Sequence, residues 1–101
     1  VDAAFLSAMQ PGSFLINVSR GGLVDSRALA ASLDAGHLSG AGLDVLETEP
    51  PPVDHPLLRH PRAIVTPHVA WAARESRQRC LDELALNVQA FLVGDRRNRI
   101  C

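Results

Sequence analysis

The sequence is poor in cysteine and lacks a long apolar run, and these absences exclude several classes of protein. Cys80 and Cys101 are its two cysteines, and neither has the neighbours that a metal site requires. We therefore expect no metal, and a reduced, cytosolic setting rather than a disulfide framework. No signal peptide, transmembrane segment or lipidation motif is apparent, so we expect a cytoplasmic protein that does not enter a membrane.

The sequence also has no excess of charge of either sign. Its formal net charge is −1 at pH 7, which argues against a nucleic-acid partner or an anionic membrane surface. We interpret Arg62, Arg96, Arg97 and Arg99 as solvated residues of a loop and a tail. With 101 residues, the chain can form at most one small domain with a modest core.

Three short apolar runs are present, and they predict strands of a sheet. They cover Phe14–Val18, Ala41–Val45 and Ala63–Thr66. Capping residues and helical spacing predict three helices. These run from the cap Asp2 to Met9, from Arg27 to Ala35 after a cap at Asp25 or Ser26, and from about Ala72 to Val93. Gly36 and Gly94 are expected to end the second and third helices.

The order of these elements predicts an α/β fold with a parallel sheet. A strand, a helix and a strand follow one another with the spacing of a right-handed crossover. Because the first run is apolar throughout except for Asn17, we expect both faces of its strand to be covered. Residues 50–67 hold six of the seven prolines and are therefore predicted to form a surface loop. The third helix carries an apolar stripe of Leu81, Leu84, Val88 and Phe91.

A phosphate-binding glycine loop is missing from the sequence. Doubly wound domains usually have five or six strands and carry GxGxxG after the first strand, but no such motif occurs here. We therefore interpret residues 1–94 as the C-terminal half of a doubly wound, Rossmann-like domain, followed by a loose tail over residues 95–101. The chain does not begin with Met, and we expect its true amino terminus to be missing.

Polar residues follow each predicted strand, and parallel strands would bring them to one rim of the sheet, where such folds bind ligands. Arg20, followed by two glycines, suits a planar carboxylate. His68 suits proton transfer near neutral pH. Each residue alone is more often structural, but their coincidence at one rim favours a site. Glu47 and Glu49 are both candidates to orient His68, and their spacing does not choose between them.

Asp44, Ser19 and the remaining histidines allow further interpretations. Asp44 could cap the following loop or accept a hydrogen bond from an amide of a ligand. A hydrolase with Ser19, His68 and Glu49 is conceivable, but the GxSxG motif is absent. We assign no role to the remaining histidines, which are His37, His55 and His60.

Three segments in order carry a family resemblance: PGSFLINVSRGGLVD, GAGLDVLETEP and IVTPHVAWAARES. From Asp2 to Gly94 the chain resembles the C-terminal part of the NAD-binding domain of D-isomer-specific 2-hydroxyacid dehydrogenases. Within that family, Trp71 and the residues after it resemble glycerate dehydrogenases and hydroxypyruvate or glyoxylate reductases. The resemblance implies an NAD- or NADP-dependent enzyme that acts on a small 2-oxo or 2-hydroxy acid and forms a homodimer.

The resemblance also implies roles for individual residues. Arg20 would bind the substrate, His68 would act as the acid and base, and Glu49 rather than Glu47 would keep His68 charged. Asp44 would hold the nicotinamide carboxamide. The cofactor pocket would be lined by Val18, Ser19, Arg20, Asp44, His68 and Ala70. We expect little or no activity from these 101 residues alone.

Two other functions are compatible with the same residues. One is a dinucleotide-sensing module like the dehydrogenase-related transcriptional corepressors. The other is a structural remnant that only dimerises.

Overall fold

The computed structural model describes residues 1–100 and confirms the α/β class. Its elements in chain order are α1 (Ala3–Ala8), β1 (Phe14–Asn17), a 3-10 turn (Gly21–Leu23), α2 (Ser26–Asp34), β2 (Gly40–Leu43), β3 (Ala63–Val65) and α3 (Arg74–Leu92). The chain forms two compact units, which we call the first unit (residues 1–69) and the second unit (from Ala70 onward). None of the helices within residues 1–100 is both long and apolar enough to cross a membrane.

The predicted helix caps of the first unit are present. The Asp2 side chain accepts a hydrogen bond from the Phe5 N–H at the start of α1. Asp25, rather than Ser26, caps α2, because its Oδ1 accepts from two successive backbone N–H groups, each at 3.0 Å. Gly36 follows α2 with φ 71°, the left-handed conformation that glycine adopts without steric cost.

The three strands form a parallel sheet in the order β1-β2-β3. Phe14 lies opposite Gly40, and Ala41 lies opposite Ala63. The helix α2 connects β1 to β2, as the strand, helix and strand pattern predicts. All three strands therefore end at the same edge of the sheet, and that edge carries the polar residues discussed below.

One face of this sheet and the helices α1 and α2 enclose the core. Leucines from each of these elements are buried to 8% exposure or less: Leu6, Leu15, Leu29, Leu33 and Leu43. Leu57, from the proline-rich loop, is also fully buried. The loop prediction is confirmed, with a turn closed by the Leu58 N–H on the His55 carbonyl.

The opposite face of the sheet is exposed. Phe14, Ile16 and Ile64 point to this side and are 67%, 68% and 73% exposed. The prediction that β1 is covered on both faces is therefore wrong for the described residues. Its burial alternates along the strand because α1 and α2 pack on the side of Leu15.

Arg62, interpreted from the sequence as solvated, and two histidines given no role all make defined contacts. Arg62 donates from Nη1 to the Leu33 carbonyl at 2.9 Å, which satisfies a terminal carbonyl of α2. His60 Nε2 lies 3.1 Å from Asp34 Oδ1, at the end of the same helix. His37 Nε2 lies 3.0 Å from the Met9 carbonyl. These side chains hold chain segments together across long sequence separations.

The second unit consists of α3 and the residues that flank it. The stripe of Leu81, Leu84, Val88 and Phe91 is present but is 50–73% exposed. Gly94 ends the helix with φ 79°.

The prediction of a loose tail is wrong for residues 97 and 98. Arg97 donates to both carboxylate oxygens of Glu83 at 2.9 and 2.7 Å, and Asn98 donates to the same side chain. Cys101 lies outside the described residues.

Candidate active site

Backbone hydrogen bonds extend the parallel pairing past the ends of the strands and join the segments of the rim. The Asp44 N–H donates to the Asn17 carbonyl, and the Thr66 N–H donates to the Leu43 carbonyl, both at 2.9 Å. The residues that follow β1, β2 and β3 are therefore held side by side. The rim expected from the sequence exists as one connected edge of the first unit.

Of the two candidate glutamates, Glu49 is the one that contacts His68. The His68 Nδ1 atom lies 2.7 Å from Glu49 Oε2, and the two side chains are 41% and 39% exposed. Glu49 Oε1 accepts from the Leu46 N–H at 3.1 Å, so the carboxylate is held by its own loop. The hydrogen bond with His68, and secondly that from Leu46, lower the pKa of Glu49. The carboxylate is therefore charged where it orients the imidazole.

The backbone at His68 has an unusual conformation. Its φ is 54°, a left-handed value that costs a residue with a side chain about 1–3 kcal/mol. Its N–H is 2.9 Å from the Asp44 carbonyl and 3.0 Å from the Thr66 carbonyl. These contacts hold the turn after β3 and direct the imidazole toward Glu49.

Asp44 is buried, with 4% exposure, and it stabilises the end of β3. Its Oδ1 accepts from Thr66 Oγ1 at 2.6 Å and from the Val69 N–H at 2.8 Å. The structure thus gives Asp44 a capping role at the loop that follows β3, whereas the sequence interpretation was a cap on the loop that follows Asp44 itself. A role toward a cofactor stays a prediction, as do those of Val18 and Ser19. The cofactor role of Ala70, the first residue of the second unit, also stays a prediction.

Asn17 shapes the loop that carries Arg20. It is 7% exposed, its Nδ2 donates to the Arg20 carbonyl at 2.9 Å, and its Oδ1 accepts from the Ser19 N–H at 3.0 Å. The Arg20 side chain is exposed and donates to the Ser19 carbonyl. Sequence reasoning treated Asn17 only as an interruption of an apolar run. A lone amide at the end of a buried strand is the signal that could have identified it.

Two cavities adjoin the Glu49 and His68 pair. A cavity of about 220 Å³ is lined by Arg20, Glu49 and His68 together with residues of the intervening loops. A second cavity, of about 400 Å³, has Glu49 and His68 on its wall and is otherwise largely apolar, with Leu46, Leu58, Val65 and three prolines. The structure therefore brings the three predicted catalytic residues to one small cavity within the first unit.

Gly21 is the point at which two rim loops touch. A Cβ atom placed on it would lie 1.9 Å from the Leu46 carbonyl carbon and 2.4 Å from the Glu47 nitrogen. These are backbone atoms, so no side-chain rotation can relieve the overlap. At the neighbouring Gly22, an added Cβ would have no heavy atom within 4 Å. Only the first glycine of the pair is required for close approach of the loops.

This difference predicts that Gly21→Ala lowers the free energy of unfolding by roughly 2–3 kcal/mol, as overpacking usually does. Gly22→Ala is the matched control, and it should stay within about 0.5 kcal/mol of wild type. Urea denaturation of both variants measures the difference. Equal stability of the two variants would contradict the contact between the loops.

Glu47 lies at the amino terminus of α2 instead of at His68. Its Oε1 accepts from the Ser26 N–H at 2.9 Å, and its Oε2 accepts from Ser26 Oγ at 2.6 Å. His55 Nε2 is 3.4 Å from Oε2. Partial burial raises the pKa of Glu47, but hydrogen bonds, first that from Ser26 Oγ, outweigh it and lower the pKa below the ordinary value of 4.5.

The lowered pKa of Glu47 predicts an acid-dependent contribution to stability. A carboxylate whose pKa is lower in the folded state stabilises that state fully above its unfolded pKa, here near 4.5. The contribution is lost as the pH falls through the lower, folded pKa. The difference in unfolding free energy between wild type and Glu47→Gln should therefore be constant well above pH 4.5 and shrink as the pH falls below that value. Denaturation at a series of pH values measures it, and a pH-independent difference would contradict the assignment.

Comparison with known proteins places the chain in a family. The family model described as D-isomer specific 2-hydroxyacid dehydrogenase, NAD binding domain, matches residues 1–70. The chain is 45% identical over 100 residues to glycerate dehydrogenase of Methylorubrum extorquens. This match covers 97% of this chain and 32% of that protein. It is 52% identical over 79 residues to (S)-sulfolactate dehydrogenase of Chromohalobacter salexigens, covering 78% of this chain and 26% of that protein.

A solved structure agrees with these sequence relationships. The NADPH-dependent glyoxylate/hydroxypyruvate reductase of Sinorhizobium meliloti, in complex with citrate, is 43% identical with a TM-score of 0.70, covering 91% of this chain and 29% of that chain. The likeness confirms the predicted Rossmann-like fold. The chain spans about a quarter to a third of the length of these relatives. By its sequence and its fold, the chain belongs to the D-isomer specific 2-hydroxyacid dehydrogenase family and matches the NAD binding domain of that family.

Proposed function

We propose that this chain supplies the catalytic rim of an NAD(P)-dependent D-2-hydroxyacid dehydrogenase that interconverts a 2-oxo acid and a 2-hydroxy acid. The observation that carries the proposal is the 2.7 Å contact between His68 Nδ1 and Glu49 Oε2, on the wall of the cavity that Arg20 also lines. These three groups suit reduction of a 2-oxo acid, because a guanidinium can bind its carboxylate and an imidazole oriented by a carboxylate can supply the proton.

In the proposed reaction, each of the three residues has a separate task. Arg20 binds the substrate carboxylate through two parallel hydrogen bonds and polarises the adjacent carbonyl. Glu49 holds the Nδ1 proton of His68, so proton exchange with the substrate oxygen takes place at Nε2. Protonated His68 gives that proton as the carbonyl is reduced, and neutral His68 accepts it in the oxidation of the 2-hydroxy acid. Glu49 stabilises the imidazole whenever it carries the charge.

The described residues fit the nicotinamide end of the cofactor. Asp44 is buried and its backbone carbonyl accepts a hydrogen bond from the His68 N–H, and the exposed residues Val18 and Ser19 border the same rim. We propose that Asp44 receives the carboxamide and that the 18–20 backbone lines the pocket. When bound, NADH or NADPH supplies the hydride for the carbonyl carbon of the 2-oxo acid.

Relatives support a small substrate of the hydroxypyruvate and glyoxylate type. The glycerate dehydrogenase and the glyoxylate/hydroxypyruvate reductase cited above are 45% and 43% identical to the chain. The 52% identical relative is a sulfolactate dehydrogenase, so a bulkier anionic acid is the natural second substrate to test.

We further propose that the protein is cytoplasmic and forms a homodimer. The exposed free thiol of Cys80 is typical of a reducing compartment. The dimer follows from the family resemblance. Sedimentation of the full-length enzyme at micromolar concentration tests it, and a monomer would contradict it.

The function is tested by oxidation of NADH and of NADPH by the full-length enzyme, with hydroxypyruvate, glyoxylate or 3-sulfopyruvate as the acceptor. We expect turnover with at least one acceptor and a preference for one cofactor. No turnover with any 2-oxo acid, together with tight binding of NADH, would overturn the proposal in favour of a dinucleotide-sensing module.

A further inference from the structure

Glu47 forms a clamp that the proposed reaction does not use. Its carboxylate binds the N–H and the hydroxyl of Ser26, at the first residue of α2. On the other side lies His55 Nε2, 3.4 Å away. Because the Leu57 N–H donates to His55 Nδ1, Nε2 is the ring nitrogen that carries a proton toward Glu47. We call Ser26, Glu47 and His55 the α2 clamp.

The α2 clamp fixes the loop that bears Glu49. The loop of residues 46–49 is held by the Glu47 side chain at Ser26 and by the backbone contact at Gly21. Within the loop, the Leu46 N–H donates to Glu49 Oε1, so the direction of the Glu49 carboxylate depends on the path of the backbone at residues 46 and 47. One residue, Thr48, separates the clamped side chain from the one that meets His68.

We propose that Glu47 is a positioning residue, which fastens the 46–49 loop to the amino terminus of α2 so that Glu49 meets His68 Nδ1. The inference rests on the proposed function, because positioning matters to a rate only where His68 transfers a proton. The favourable field of the helix terminus and the ionised state of Glu47, whose pKa is lowered, both strengthen the clamp. Glu47 thus acts through Glu49 and does not touch the reacting atoms.

The first test is steady-state kinetics of the full-length enzyme. Glu47→Ala should lower kcat roughly 10- to 100-fold, since a displacement of about 1 Å in a catalytic group has effects of this size. The KM for NADH or NADPH should stay within about twofold, because the cofactor pocket keeps its own contacts. Thr48→Ala, at an exposed position of the same loop, is the control and should keep the wild-type kcat. An unchanged kcat in Glu47→Ala would overturn the proposal.

A double-mutant cycle separates positioning from general damage to the fold. If Glu47 acts through Glu49, then Glu47→Ala should change kcat by no more than about twofold in an enzyme that already carries Glu49→Gln. Independent, multiplicative losses would show that Glu47 has only a structural effect. Should Glu47→Ala fail to fold, Ser26→Ala takes its place in the cycle. This variant removes only the 2.6 Å hydrogen bond from the Ser26 hydroxyl, so a smaller loss of kcat is expected.

A spectroscopic measurement makes the test independent of turnover. Nitrogen-15 spectra of the histidine rings report whether His68 Nδ1 keeps a strongly hydrogen-bonded proton. Wild type and Thr48→Ala should show it, and Glu47→Ala should lose it. An enzyme that shows these spectra without reducing any 2-oxo acid would refute the proposed function and leave the positioning role intact. A retained signal in Glu47→Ala would refute the positioning role itself.

Discussion

His68→Asn should lower kcat for reduction of the preferred 2-oxo acid by roughly 10²- to 10⁴-fold, the usual contribution of a general acid. Asparagine is the informative replacement because it tolerates the left-handed backbone at this position, where φ is 54°. The loss of rate can then be attributed to the missing proton donor and not to a rebuilt turn. The Kd for NADH or NADPH should change far less than kcat, since proton transfer is to the substrate and His68 is one of six residues expected to line the cofactor pocket.

His60→Asn is the matched control for this variant. His60 also faces a carboxylate, with 3.1 Å to Asp34, but it lies at the far end of α2. We expect its kcat to remain within about twofold of wild type. Measured kcat values that fall equally in the two variants would mean that loss of a histidine contact, and not loss of the acid, explains the effect. A fully active His68→Asn enzyme would remove His68 from the mechanism.

Arg20→Ala should lower kcat/KM for the 2-oxo acid by roughly 10²- to 10⁴-fold, because it removes two charged hydrogen bonds of about 1.5–3 kcal/mol each. The loop should keep its shape, since Asn17 holds the backbone carbonyl of residue 20 rather than the side chain. Steady-state kinetics over a wide range of substrate concentrations separates the rise in KM from the fall in kcat.

Arg20→Lys tests whether the fork of the guanidinium matters or only its charge. Lysine keeps the charge but cannot bind a carboxylate through two parallel donors, so we expect a loss between wild type and Arg20→Ala. Arg27→Lys, at an exposed position of α2, serves as the control and should leave kcat/KM unchanged. A wild-type kcat/KM in Arg20→Lys would restrict the role of Arg20 to long-range attraction of the anion.

Sequence reasoning succeeded where a local signal determines the structure. Asp2 and Asp25 cap helices because their side chains reach the next N–H groups, and Gly36 ends α2 because glycine tolerates φ above zero. These interactions lie within a few residues of one another. The parallel sheet followed from the same short segments, since the helix between β1 and β2 leaves few alternatives.

The sequence could not determine contacts that depend on how a loop folds back. Glu47 and Glu49 are equivalent by spacing, and only the family resemblance favoured Glu49. The actual reason is that Glu47 is taken by Ser26, which is 21 positions earlier in the chain. The contacts of Arg62 with α2 and of Arg97 with Glu83 were missed for the same reason. An exposed face at Phe14 was also missed, because an apolar run does not reveal which side of a strand has a partner.

The left-handed turn at His68 also has an evolutionary consequence. The imidazole lies at a position whose backbone only glycine adopts without steric cost, although histidine, asparagine and aspartate tolerate it better than most residues. In a descendant freed from proton transfer, glycine would relieve the turn, whereas most other replacements would strain it further. Inactive descendants of such a chain should therefore show glycine or one of these tolerant residues at this turn, and seldom a β-branched one.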